Sequence, residues 1–63
     1  MANEISRIGI RVKAMRKWKH LSQKQLAELS GVGYVTISRI ERGEDCRISV
    51  VEKLEKAFGV TLY

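Results

Sequence analysis

The sequence predicts a single all-α domain, and three observations carry that prediction. Two stretches, "SQKQ" and "SVVE", have the spacing of a capping box, in which a serine caps a helix and a Gln or Glu three residues on reaches back. Three segments run into a glycine, at Gly31, Gly43 and Gly59, where helices commonly stop. Between these marks apolar residues recur at intervals of three and four, the period of a helix face.

The first helix is expected over about residues 4–19. Ile5, Ile8, Val12 and Met15 form one face, Asn3 or Ser6 can cap the start, and Lys17 and Lys19 suit the negative end of the helix dipole. Trp18 lies near the same stripe and is expected to pack rather than bind. The second helix, about 22–30, begins at Ser22 with Gln25 as its box partner and Leu21 and Leu26 as a hydrophobic staple. Gly31 stops it.

The next stretch is ambiguous, because "VGYVTI" is β-branched and aromatic and suggests a strand when taken alone. No second strand pattern of similar quality exists to pair with it, and a lone strand leaves its backbone groups unsatisfied. A helix over 33–42 instead turns Ile37 and Ile40 inward and leaves Tyr34, Val35, Ser38 and Arg39 facing elsewhere. Its β-branched residues cost about a few tenths of a kcal/mol each in propensity. Such a local conflict is expected where outward side chains serve a function. The last helix, about 49–58, has Ser49 as cap, Glu52 reaching back, and Val50, Val51, Leu54, Ala57 and Phe58 on one apolar face, with Gly59 as its stop.

Composition narrows the function. At 63 residues the chain makes one domain, 1–63. It holds no apolar run long enough to span a bilayer and no unbroken signal-peptide core, so a cytoplasmic location is the default. One cysteine, Cys46, and one histidine, His20, make neither a disulfide nor a His/Cys metal cluster, so no metal and no cofactor are expected. No paired carboxylates or nucleophile–base set stand out, so no catalytic residue is named and an enzyme is not expected. The net charge is +5, and it is uneven. Arg7, Arg11, Lys13, Arg16, Lys17 and Lys19 face only Glu4 in residues 1–20, whereas six basic and six acidic side chains balance in 21–63. Clustered positive charge attracts polyanions, although a merely solvated basic face looks the same in sequence.

The connection "GVG" between the second and third helices is tight enough to force a steep angle between them, the arrangement in which a second helix enters the major groove of DNA. Ala27 is small enough for the two helices to approach closely. Here "LSQKQLAELSGVGYVTISRIERG" resembles the phage repressor and Cro family of helix-turn-helix domains, the XRE type, and the likeness extends through "SVVEKLEKAFGV" over roughly residues 7–60. The spacing "LSQ..LA...GV....IS..E.G" carries it. The resemblance implies a compact repressor-like domain of four helices, or five, that binds double-stranded operator DNA, usually as a homodimer on a palindrome.

The resemblance also implies roles. Gln23, at the start of the second helix, corresponds to a phosphate contact, with Ser22 beside it; amides at a helix start favour the same anion. Tyr34, Val35, Thr36 and Arg39 occupy the base-reading positions, and an arginine is shaped for a bidentate contact to guanine. Arg42 and Arg47 suit phosphates near the exit of the third helix. Arg16 and Glu41 match positions that form a semi-buried salt bridge in the family, and two exposed, independent charges are the alternative. Two departures stand out. Gly33 replaces the family's common Ser or Thr cap, which loses a side-chain contact. Many members also continue past "GV" into a fifth helix, so Val60, Leu62 and Tyr63 need cover, on their own core or against a second copy.

The function this favours is a sequence-specific DNA-binding transcriptional regulator, a repressor acting by occupancy, with a homodimer that is weak or dependent on DNA. The alternative is an antitoxin-type protein-interaction module that also binds its own operator, with the basic first helix or the apolar tail meeting a protein partner. RNA is disfavoured by the lack of stacking aromatics. Cys46 is expected to be a passive, half-buried thiol, and His20 a loop residue.

Overall fold

Helix formation follows the punctuation of the sequence. In a computed structural model of the protein, which describes residues 4–62 and the side chains from Ile8 onward, four helices succeed one another. They are α1 (Glu4–Trp18), α2 (Gln23–Ser30), α3 (Tyr34–Glu41) and α4 (Ile48–Phe58). No strand forms among the described residues, and the "VGYVTI" stretch is helical from Tyr34 on. Asn3, Tyr63 and the side chains of Ile5, Ser6 and Arg7, named above as cap, tail, stripe or basic cluster, lie outside what is described.

The start of α2 is held by the reciprocal pair expected of a capping box. The Gln25 amide donates to Ser22 Oγ at 3.0 Å, and the Ser22 amide donates to Gln25 Oε1 at 2.7 Å. Its end is a left-handed residue, Gly31 at φ +77°, whose amide donates to the Ala27 carbonyl at 2.9 Å. A Cβ is disfavoured in that conformation, so glycine suits the position. Ser30 braces the same turn: its hydroxyl donates to the Leu26 carbonyl at 2.7 Å and accepts from the Val32 amide at 3.2 Å.

The start of α4 differs from the expectation. Arg47, not Ser49, is the capping residue, no side chain caps it, and Ser49 and Glu52 stand exposed inside the helix. The amides of Val50 and Val51 both reach the Arg47 carbonyl, at 3.0 and 3.1 Å. With Val51, Leu54 and Phe58 fixed on the interior, the chain is already helical at Ile48, and packing overrides the preference of serine for a cap.

The core is one cluster with α3 at its centre. Ile37 and Ile40 are buried with Ile8 and Val12 of α1, Leu26 of α2, and Val51, Leu54 and Phe58 of α4. Leu21, the staple residue before α2, packs on this cluster half-buried, as does Ala27. Gly9 sets how closely α1 meets α3, because a Cβ there would stand 2.1 Å from the Ile40 carbonyl oxygen.

Two apolar residues lie elsewhere than a simple stripe suggests. Leu62 folds back onto its own core: it is buried, its amide donates to Glu55 Oε2 at 2.8 Å, and its carbonyl accepts from Arg11 Nη1. Val60 remains partly exposed. Trp18 does not pack, being 79% exposed. The stripe through Ile8, Val12 and Met15 is centred on the direction of Lys19, and Trp18, one residue or about 100° away, falls on its margin.

Candidate nucleic-acid interface

One surface of α3 is free because the other is fully used. Ile37 and Ile40 face the core, and Tyr34 (46% exposed), Val35 (57%) and Arg39 project away from it. Thr36 is half-buried between these faces. Gly33 caps the helix without a side-chain hydrogen bond, which leaves the approach to the first turn of α3 unobstructed by a side chain.

The opposite edge of α3 is clamped. Glu41 accepts from Arg16 twice, Nε to Oε2 at 2.7 Å and Nη2 to Oε1 at 3.1 Å, the bidentate geometry that suits a guanidinium and a carboxylate. Arg16 also donates through Nη1 to the Leu21 carbonyl at 2.8 Å, and its own carbonyl accepts from the Leu21 amide at 3.0 Å. The hydrogen bond to Glu41 pushes the Arg16 guanidinium pKa above its ordinary value despite the opposing effect of burial. The Glu41 side chain is only 4% exposed and that of Arg16 only 13%.

Gln23 joins this cluster. Its Nε2 donates to Glu41 Oε1 at 3.2 Å, so a single carboxylate ties α1, α2 and α3 together. The sequence reading missed this bond, as it missed the contact at Gly9. Gly9 did carry a signal, since an isolated glycine inside a helical pattern usually has a packing reason. The Gln23–Glu41 bond carried none, because the two residues are eighteen apart and meet only in the fold.

The remaining candidates fall into a second group. Thr36, Arg39 and Arg47 line one depression of about 370 Å³ together with Glu44, Asp45 and Cys46. Arg42 stands outside it and pairs loosely with Glu44 at 3.7 Å, both side chains well exposed. Cys46 is half-buried, and burial, with the nearby Asp45 charge adding to it, pushes its thiol pKa up. Such a thiol is less ionised at neutral pH and correspondingly less reactive. Ser22, whose Oγ accepts in the capping box, stands at the α2 start next to Gln23. Among the described residues no group of three His, Cys, Asp or Glu side chains could hold a metal ion, and no helix is long and apolar enough to cross a membrane.

A family model described as helix-turn-helix matches residues 12–63, which takes in α2, the turn, α3 and α4 whole. The chain belongs to the helix-turn-helix family. Its curated relatives include the HTH-type transcriptional regulator PuuR of Escherichia coli (strain K12) and the protein of the same name in Shigella flexneri, each 38% identical over 63 residues. These matches cover 98% of this chain but 34% of either relative, so the chain spans about a third of their length. Within the helix-turn-helix, then, α2 is the supporting helix and α3 the exposed one, and the Arg16–Glu41–Gln23 cluster is the joint that fixes α3 against both its neighbours.

Proposed function

We propose that this chain binds double-stranded DNA sequence-specifically and regulates transcription, as a repressor acting by occupancy. The observation that carries the reading is the division of α3, with Ile37 and Ile40 buried and Tyr34, Val35 and Arg39 exposed on a helix held rigidly at its other edge. Laid in the major groove, that exposed face presents a phenol, an isopropyl group and a guanidinium to base edges, with Thr36 beside them. Arg39 suits the O6 and N7 of guanine, and Val35 the methyl of thymine.

Phosphates fix the register. The first amides of α2 have no acceptor inside the helix, and the capping box occupies that of Gln25. Those of Gln23 and Lys24 are left for a phosphate, with Ser22 and the second Nε2 hydrogen of Gln23 alongside. Arg42 and Arg47 contact the flanking backbone. Glu41 is a positioning residue here, since it orients the Gln23 amide. Two copies on a palindrome would set their α3 helices about 34 Å apart, one turn of DNA. The homodimer forms weakly or only on DNA, and acting on a chromosome places the protein in the cytoplasm.

Selection of bound duplexes from a random library at stated salt tests the reading. The expected result is a palindromic winner. With about eight phosphate contacts per dimer, affinity should fall by about 10³–10⁵ between roughly 50 and 200 mM salt. A library that enriches no sequence, or binding indifferent to salt, would refute it.

A further inference from the structure

The phosphate proposed at the start of α2 meets a joint with little net charge. Glu41 and Arg16 neutralise one another, and Gln23 is uncharged. All three guanidinium nitrogens of Arg16 donate within the fold, two to Glu41 and one to the Leu21 carbonyl. Protein cations that displace counterions drive phosphate binding in salt solution. The positive charge must therefore come from beside the joint.

α1 carries such charge on one flank. Gly9 and Arg16, seven residues apart, point within about 20° of each other, and both meet α3. Counted round the helix from Gly9, the buried Val12 and Ile8 lie about 60° and 100° one way. Lys13 and Lys17, one turn apart and both exposed, lie about 40° and 80° the other way. They border the joint on its solvent side, Lys13 about one turn before Arg16 and Lys17 directly after it. No acidic residue occurs between Ile8 and Trp18 to offset them. Arg11 points elsewhere, and its Nη1 donates to the Leu62 carbonyl. The flank is charged, with Ile10 as its large apolar side chain, which suits a sugar–phosphate rail better than the charge-poor centre of a protein interface. Resting on the DNA-binding reading above, we propose that Lys13 and Lys17 hold backbone phosphates next to the one at Gln23, which makes α1 a third DNA-contacting helix. A lysine acts there as a point charge, so the contact adds affinity and no sequence preference.

Salt titrations of the whole chain on the selected operator and on an unrelated duplex test this. Lys13→Gln and Lys17→Gln should each weaken binding to both duplexes by the same factor, about threefold or more near 0.15 M salt. Each should also make the plot of log affinity against log salt shallower by about 1 per bound subunit. Circular dichroism and the thermal melt should not change, and Lys13→Arg and Lys17→Arg should keep wild-type binding. Lys56→Gln removes the same charge from the last turn of α4, away from the joint, and should leave the slope as it was. Ethylating operator phosphates one at a time separates contact from distant attraction. Ethyl groups beside the Gln23 phosphate should hinder the wild type and cease to matter to Lys13→Gln or Lys17→Gln. An unchanged slope, an unchanged ethylation pattern, an equal effect of Lys56→Gln or a new preferred sequence would overturn the proposal. A wild type that enriches no duplex would take this proposal down together with the reading of α3. A wild type that binds its selected operator with indifference to Lys13 and Lys17 would sink this proposal alone.

Discussion

The two long edges of α3 are built on opposite terms. On the inner edge, Gly9 lets the backbone of α1 come up to the Ile40 carbonyl, and Glu41 is bonded to Arg16 and Gln23 with almost no exposure. On the outer edge, Tyr34, Val35 and Arg39 touch little, and the one ion pair at the exit, Arg42–Glu44, is long and solvated. Rigidity and availability are thus divided across a helix of eight residues. A side chain that must meet a base cannot also hold the fold, so the fold is held from behind. Substitutions on the inner edge should act on stability, and those on the outer edge on binding.

Glu41→Ala should give the largest effect. It strands a half-buried guanidinium, and removing one partner costs up to about 3–5 kcal/mol when a pair is truly interior. A chain of this length has only about 3–9 kcal/mol of stability, so a chemical melt should find Glu41→Ala largely unfolded or with its midpoint sharply lowered. A loss under about 1 kcal/mol would place the pair among solvated surface bridges and break the contrast. Gly9→Ala comes next. Alanine gains about 0.5–1 kcal/mol of helix propensity over glycine, but its methyl meets a backbone carbonyl rather than a flexible side chain. The expected net is a destabilisation of about 1–3 kcal/mol from overpacking, against the propensity trend. A stabilised variant would mean that α1 can slide without cost.

How much of this could be read beforehand follows from the range of each interaction. The α2 start was legible because a capping box is local, with Ser22 and Gln25 three residues apart. The same pattern at Ser49 and Glu52 misled, because α4 takes its register from Val51, Leu54 and Phe58 in the core, and the helix starts at Ile48 regardless. The inward face of α3 followed from the three-residue spacing of Ile37 and Ile40. Trp18 did not follow, since a periodic stripe gives the centre of a face better than its edge. The Gln23–Glu41 and Arg11–Leu62 bonds join residues eighteen and fifty-one apart, and Glu55 meets Leu62 only because the chain doubles back after Gly59, so no pattern within one helix announces them.

On the outer edge the predicted effects move from stability to affinity. Arg39→Ala should leave the thermal melt unchanged and cost about 1–3 kcal/mol on the selected operator, with binding to unrelated DNA nearly intact. Equal loss on both DNAs would assign Arg39 to a phosphate. Gln23→Ala tests the joint between the edges. It removes a bond to Glu41 as well as the proposed phosphate contact, so it should weaken binding to all sequences alike and lower stability by about 0.5–1.5 kcal/mol. A change in the preferred base would contradict its place at the backbone.

The smallest effect is expected at Cys46, which borders the depression holding Arg39 and Arg47. Burial holds its thiol pKa up in the folded state, so the folded protein keeps the proton at a pH where the unfolded chain has begun to lose it. The unfolded state then binds fewer protons, and stability should decline slightly as pH rises through the ordinary thiol range, with no effect below it. Iodoacetamide at neutral pH should accordingly label the native protein more slowly than the urea-unfolded chain. Labelling faster in the native state would mean an activated thiol on the binding side of the molecule, and the outer edge would then hold a reactive group rather than contact side chains alone.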